Sequence, residues 1–191
     1  MGAYAARAPR AKSANRDNRF QEPMAEFYVL EPPGVGLLPM WQWLMATWFG
    51  TGLVVPLRAG LAVFALLPLL VVSIKMPRLA VPMVALLIFA LGVYVSSAID
   101  LATGVKDDRR IVIDEVAAFL IGASLIRQAG WRMLVPFAAL FLFFDRLKPW
   151  PMAYVEQVPS GWGVMLDDLV PAVAVGLLFA IAQHFWNRQS R

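Results

Sequence analysis

A long uncharged segment near the middle of the chain limits the folds that this sequence can adopt. From Leu79 to Ile99 there are 21 consecutive residues without a formal charge. As an α-helix this segment would extend about 31 Å, which matches the hydrocarbon thickness of a bilayer. Because 60% of the 191 residues are hydrophobic and 16% are charged, we expect a membrane protein and not a water-soluble domain.

Two further segments have the composition of membrane helices. Residues 59–74 carry no charge, and the segment lengthens to 22 residues if it begins at Leu53 and the Arg58 side chain reaches the interface. Leu169–Trp186 contains His184 as its one ionisable residue, and Pro171 is expected in the first turn of that helix. Both segments therefore predict spanning helices.

Between these segments lie two apolar runs that are too short to cross a bilayer alone. Val116–Ile126 and Met133–Phe144 predict a helical hairpin, either two short spans or a re-entrant pair covered by other helices. The tryptophan-rich residues 40–51 predict an interfacial amphipathic helix that leads into a turn at Gly50–Gly52. The expected fold is all-α: a polytopic membrane helical bundle with a short-helix hairpin and an interfacial N-terminal helix.

The composition also limits the chemistry. Residues 1–33 have no apolar core, so we expect a disordered or surface-lying tail before a membrane-embedded domain at residues 34–191. The absence of cysteine and the single histidine exclude thiolate nucleophiles, disulfides, cysteine-rich zinc sites and paired-histidine catalysis. The net charge of +4 suits an anionic membrane surface, and no nucleic-acid-binding motif is found. Carboxylates and cations are the remaining candidates for a reactive site.

The predicted helices separate the charged residues by membrane face. One face receives basic residues and no acid: Lys75, Arg78, Arg127, Arg132, Arg188 and Arg191. The other face receives most of the acids: Asp100, Asp107, Asp108, Asp114, Glu115, Asp145, Asp167 and Asp168. The acidic face has five basic residues, and the first face has six. The count on the acidic face rises to ten if the basic tail joins it. The positive-inside rule therefore favours a cytoplasmic acidic face.

The acids beside the apolar runs have two interpretations. Solvated helix ends and favourable helix dipoles explain acids such as Asp107 and Asp108. Acids next to membrane segments are costly and commonly functional, which favours a functional site built from the acids other than Asp107 and Asp108. The candidate ligands are Asp114, Glu115, Asp145, Asp167 and Asp168. Oxygen ligands without histidine or cysteine suit Mg²⁺ or Mn²⁺.

Basic residues flank these carboxylates and could bind a phosphate. They are Arg109, Arg110, Arg146 and Lys148. Cations beside metal-binding carboxylates can pair with phosphate oxygens, although contact with lipid headgroups explains Arg109 and Arg110 equally well. Gly161 and Gly163 belong to a segment that predicts a flexible loop, whose backbone amides could approach an anion.

Three sequence blocks together resemble the phosphatidylglycerophosphatase A family, in the family's order and with similar spacing. They are Ile111–Val116, Phe144–Pro151 and Gly161–Asp168. The resemblance covers residues 46–185 and implies Mg²⁺-dependent removal of the terminal phosphate from phosphatidylglycerophosphate, giving phosphatidylglycerol at the bacterial inner membrane. It places functional roles on seven residues: Asp107, Asp114, Glu115, Asp145, Lys148, Asp167 and Asp168.

The chain departs from the family pattern in three places. The glycine-rich stretch is recognisable at Phe49–Leu53, but the expected Pro-Gly-Thr and following Gly are replaced at residues 58–62. The arginine expected three positions before Asp145 is Leu142, and Pro171 stands near the expected Ala-Gly. These departures involve a loop and a cation that could position phosphate.

The leading hypothesis is a lipid phosphatase whose carboxylates hold one or two Mg²⁺ ions, while Lys148, supported by Arg109 or Arg146, binds the phosphate. Attack by water and formation of an aspartyl-phosphate are both compatible with the sequence. Phosphatidylglycerophosphate and membrane lipids are the expected partners. The alternative is a catalytically impaired homologue that acts as a structural membrane subunit, or a small ion-coupled carrier, because intramembrane acids also serve ion pathways.

Overall fold

The computed structural model describes residues 27–31, 36–73, 75–126, 130–147, 152–155 and 157–189. These residues are mostly helical, which confirms the expected all-α class. The helices are α1 (Met40–Ala46), α2 (Arg58–Ser73), α3 (Ala80–Thr103), α4 (Ile113–Ser124), α5 (Trp131–Leu147), α6 (Met152–Val155) and α7 (Gly161–Gln189). A 3-10 turn at Thr51–Leu53 and two short strands, β1 (Tyr28–Val29) and β2 (Val54–Val55), accompany them.

The short helix α4 lies at the centre of the bundle. It is buried on nearly every side and packs chiefly against α7 and α3, with α2 and α5 completing its surroundings. The crossing with α7 is close: a Cβ added to Gly176 would lie 2.6 Å from the carbonyl oxygen of Gly122. Small residues at such a crossing let two helix backbones approach each other. The expected hairpin of α4 and α5 is present, but the main partner of α4 is α7.

Two apolar clusters hold α4 in place. The first joins α4 to α5 and α2, and its centre is the stacked pair Phe119 and Phe137, whose ring centroids are 5.3 Å apart. The second joins α4 to α1, α3 and α7 through residues that include Trp43 and Met165. Trp43 is only 3% exposed, whereas Met40 and Trp41 are exposed, so α1 is amphipathic and packs one face against the bundle.

Among the described residues, two helices are long and apolar enough to cross a membrane. They are α3, with 24 residues, and the Gly161–Phe185 part of α7, with 25 residues. Large apolar side chains on α3 are uncovered by protein: Met83, Val84, Leu86, Leu87 and Leu101. Exposed apolar surface of this extent is suited to lipid. The protein is thus an all-α membrane protein, and α3 agrees with the span predicted at Leu79–Ile99.

Three predicted helix boundaries are wrong. The helix α2 does not extend back to Leu53, because residues 51–55 form the 3-10 turn and β2, and its 16 residues are short for a span. The helix α1 ends at Ala46, before the predicted end of residues 40–51. The helix α7 begins at Gly161 and not at Leu169, so Pro171 lies in its interior and not in its first turn.

The two strands attach the N-terminal segment to the bundle. Tyr28 pairs with Val55 in an antiparallel register, and the N–H of Leu30 donates to the carbonyl oxygen of Leu53 at 2.7 Å. Both residues of β1 are exposed, so this end of the predicted tail lies on the surface. Residues 1–26 and the predicted domain boundary at residues 33 and 34 lie outside the described residues.

Candidate active site

Three carboxylates from two helices meet inside the bundle. Asp114 and Glu115 occupy the first turn of α4, and Asp168 lies on α7. One oxygen from each lies within 4.8 Å of the others. Asp114 is 6% exposed, Glu115 8% and Asp168 4%, so solvent does little to weaken their mutual repulsion. We call Asp114, Glu115 and Asp168 the carboxylate triad.

A fourth carboxylate reaches the triad from a third helix. Asp145, near the end of α5, acts electrostatically on all three triad residues and is within hydrogen-bonding reach of Asp168. It is half-buried, in contrast to the triad. The structure therefore brings together four of the five predicted ligands from α4, α5 and α7.

The triad has the properties expected of a divalent-cation site. The Oε2 atom of Glu115 is buried without a hydrogen-bond partner, which is costly for a carboxylate oxygen. The neighbouring charge of Asp114 adds electrostatic repulsion to this cost. A donor set made of carboxylate oxygens alone fits Mg²⁺, which would remove both penalties.

Asp167 has a different environment from its neighbour Asp168. It is buried, and its Oδ1 accepts the backbone N–H of Asp168 at 3.0 Å. Among the described residues, Asp167 stands outside the group of three oxygens that lie within 4.8 Å. Its role as a metal ligand stays a prediction.

The predicted phosphate-binding cations lie at the edge of the site or outside the described residues. Arg109 and Arg146 are exposed, the first in the loop before α4 and the second next to Asp145. Lys148, predicted to be catalytic and to bind substrate, lies outside the described residues. Arg58, predicted to reach the interface, donates its Nη1 to the carbonyl oxygen of Arg109, and its charge acts on Glu115. Arg58 therefore lies at the edge of the site, at the start of α2.

Arg110 supports the loop that precedes α4. It forms an ion pair with Asp108 at 2.7 Å, and its guanidinium lies 4.6 Å from the ring centroid of Trp43. Burial acts to raise the pKa of Asp108, but the hydrogen bonds and charge of Arg110 outweigh it and hold that pKa below its usual value. These contacts with Asp108 and Trp43 explain the position of Arg110 without a bound phosphate or lipid headgroup.

The structure gives Gly161 and Gly163 a packing role. The predicted flexible loop is instead the first turn of α7, where a Cβ on either glycine would overlap a backbone carbonyl, of Val93 or of Val158. The N–H of Gly161 donates to Ser97 Oγ at 3.0 Å, and that of Gly163 donates within its own turn. Their amides therefore have partners in the protein, which does not favour the predicted contact with an anion.

The fold and site define a class: an all-α membrane protein with a buried carboxylate cluster and basic residues beside it. The family model for phosphatidylglycerophosphatase A matches residues 44–183. The chain is 34% identical over 147 residues to phosphatidylglycerophosphatase A of Haemophilus influenzae, covering 75% of this chain and 88% of that protein. It is 28% identical over 144 residues to the protein of the same name from Escherichia coli K12, covering 74% and 84%.

The chain therefore belongs to the phosphatidylglycerophosphatase A family, and it is a phosphatase. No solved structure is significantly similar to it.

Proposed function

We propose that this protein hydrolyses the terminal phosphomonoester of phosphatidylglycerophosphate, giving phosphatidylglycerol and phosphate in phospholipid biosynthesis, and that it requires Mg²⁺. The observation that carries the metal requirement is the buried carboxylate triad with an unpartnered oxygen on Glu115. The named activity of the two relatives supports the substrate.

Each carboxylate has a role in this proposal. Asp114, Glu115 and Asp168 would hold the Mg²⁺, with Asp167 as a further candidate. When bound, Mg²⁺ supplies positive charge that stabilises the negative charge developing on the phosphate oxygens. Asp145 is half-buried beside the triad, so it can accept a proton and exchange it with solvent.

The reaction then has two candidate routes. In the first, water attacks phosphorus, gives a proton to Asp145, and the bond from phosphorus to the glycerol oxygen breaks as that oxygen gains a proton from solvent. In the second, an aspartate carboxylate attacks phosphorus, and the bond from phosphorus to the glycerol oxygen breaks as that oxygen gains a proton from solvent. Water then hydrolyses the aspartyl-phosphate, which releases phosphate and restores the carboxylate. Acid quenching with ³²P-labelled substrate distinguishes them, because only the second route leaves label on the protein.

Basic residues at the mouth of the site would bind the phosphate. Arg109 and Arg146 are exposed near the carboxylates, and Lys148 follows Asp145 by three residues. A cation pairs with phosphate through charge-assisted hydrogen bonds. Gly161 and Gly163 have no part in this proposal, since their amides already have partners.

We further propose a multi-pass protein of the bacterial inner membrane, with the active face in the cytoplasm. The support comes from the N-terminal segment, because the carbonyl oxygen of Glu31 accepts a hydrogen bond from Arg110 at 3.3 Å, beside the acidic end of the bundle. Glu31, where the described part of this segment ends, therefore lies beside the acidic face. Counting the basic residues of the tail with that face gives ten, against six on the other. That asymmetry favours a cytoplasmic location.

Phosphate release by the purified protein in detergent tests the proposal. Phosphatidylglycerophosphate is the substrate, with Mg²⁺ or with a chelator. Glu115→Gln should reduce turnover at least about 100-fold, because it removes a ligand. Glu31→Gln, the same substitution at an exposed residue outside the cluster, should retain native turnover. Lys148→Ala measures the contribution of the predicted phosphate-binding lysine.

Two outcomes would contradict the proposal. Equal turnover with Mg²⁺ and with chelator would refute the metal requirement. No turnover under any condition, in protein that remains folded, would favour the catalytically impaired homologue or the ion-coupled carrier.

The rate with phosphatidic acid, a lipid phosphomonoester without the second glycerol, shows how much that glycerol contributes to turnover.

A further inference from the structure

The position of Arg58 on α2 directs it toward the site. On one stripe of α2, Ala62, Leu66 and Leu70 recur every fourth residue and are all buried in the cluster that contains α4 and α5. Residues four apart lie on the same face of a helix. Arg58 continues this stripe by one turn and is the first residue of α2. Its side chain therefore starts on the face that packs against the bundle.

Arg58 contacts the loop before α4, and its charge reaches the carboxylate triad. Its Nη1 donates to the carbonyl oxygen of Arg109, and its charge acts on both Asp108 and Glu115. The side chain is half-buried. A guanidinium has five N–H donors, so this one bond leaves most of its donors available for another acceptor. Fixing one end to a loop carbonyl also limits the orientations that the group can adopt.

Each cation near the site favours binding of a phosphate dianion. The four carboxylates Asp114, Glu115, Asp145 and Asp168 carry more negative charge than one divalent ion neutralises. The planar fork of a guanidinium matches two phosphate oxygens. Arg58 supplies such a fork from the first turn of α2.

We propose that Arg58 is a substrate-binding residue that pairs with the non-bridging oxygens of the lipid's terminal phosphate. This inference rests on the proposed phosphatase function. The competing explanation is that Arg58 only offsets the charge of Glu115 and so supports the metal ligands. The two roles make opposite predictions for metal binding.

The test uses full-length Arg58→Ala and Arg58→Lys, with Arg78→Ala as an exposed arginine on the opposite predicted face. Three quantities are measured: KM and kcat for phosphatidylglycerophosphate, the inhibition constant of inorganic phosphate, and Mn²⁺ affinity by electron paramagnetic resonance. Arg58→Ala should raise KM and the phosphate inhibition constant about 10- to 100-fold. Arg58→Lys should recover part of the loss, and Arg78→Ala should match the native protein.

Mn²⁺ affinity separates the two roles. Removing a positive charge near the triad should leave Mn²⁺ binding unchanged or tighter if Arg58 binds phosphate. Weaker Mn²⁺ binding, together with an unchanged inhibition constant for phosphate, would overturn the proposal. If the native protein shows no turnover, the proposed function fails separately. Calorimetric titration of inorganic phosphate into Mg²⁺-loaded native and Arg58→Ala protein then tests Arg58 by itself, and equal affinities would overturn its role.

Discussion

Substituting Glu115 by glutamine should stabilise the metal-free protein, and Mg²⁺ should remove most of that gain in stability. The triad oxygens lie within 4.8 Å of one another. At that separation and an effective dielectric constant near 20, two carboxylates repel each other by about 3 to 4 kcal/mol. Protonating Glu115 at pH 7 to escape this repulsion costs a similar amount, about 3.7 kcal/mol from its ordinary pKa. Glutamine removes the charge without that cost.

We therefore expect Glu115→Gln to raise the metal-free stability by about 2 to 4 kcal/mol. For a chain of this size each kcal/mol corresponds to about 2 to 4 °C in Tm. Mg²⁺ should stabilise the native protein by about 2.7 kcal/mol at 100 times its Kd, and it should stabilise the variant much less, because a ligand is missing. The variant should thus be the more stable protein in chelator and lose most of that advantage in Mg²⁺.

Thermal unfolding followed by tryptophan fluorescence, in one detergent with chelator and with Mg²⁺, measures both effects. Glu31→Gln changes the same functional group at an exposed position and should behave as the native protein does under both conditions. A variant that is less stable than the native protein in chelator would refute the repulsion argument. An undiminished Mg²⁺ shift in the variant would refute Glu115 as a ligand.

Two other substitutions test the packing and the loop. Gly176→Ala would place a methyl group against the carbonyl oxygen of Gly122, so it should destabilise the bundle by about 1 to 3 kcal/mol in chemical unfolding; Gly60→Ala, with open space around its Cβ, should not. Because its pKa is lowered in the folded state, Asp108 stabilises the protein above the unfolded-state pKa near 4, and this contribution disappears as the pH falls through the folded value. The native protein should lose more stability than Asp108→Asn between about pH 5 and pH 3; equal losses would show that the Arg110 pair contributes nothing.

The sequence was most informative where burying a charge is expensive. Acids beside apolar segments are costly, and this argument selected five candidate ligands: Asp114, Glu115, Asp145, Asp167 and Asp168. The structure brings four of them together from three helices. The same argument could not rank Asp167 below Asp168. Adjacent residues share one local pattern, and only the rotation of α7 against α4 gives them different surroundings.

The predicted start of α7 is wrong because a local preference disagrees with the tertiary structure. Acids favour the first turn of a helix, so Asp167 and Asp168 indicated a helix beginning near Leu169. The helix begins at Gly161, where the glycine packs against the backbone of α3 and bonds to Ser97. That contact joins residues far apart in sequence, so no local pattern reveals it.

The two interpretations of Arg58, interfacial residue or site residue, cannot be separated from the sequence for a related reason. A single basic residue at the end of an apolar segment has the same pattern whether it faces lipid headgroups or a protein site. The direction depends on how the helix is rotated, and the packing of α2 against α4 and α5 sets that rotation. The four-residue spacing of Arg58 with Ala62 and Leu66 is the feature that could have indicated it. The pairing of β1 with β2 has no comparable local pattern, since two residues are too few to show alternation.

The early start of α7 also determines how deep the reactive groups lie. Its 29 residues extend about 43 Å, close to the full thickness of a bilayer with its headgroup layers. Asp168 follows Gly161 by seven residues, which is about 10 Å along the helix axis. At that depth the carboxylates meet the boundary between headgroups and acyl chains. A lipid could then present its phosphate while both of its tails stay in the membrane, so catalysis would not require extracting the lipid from its leaflet.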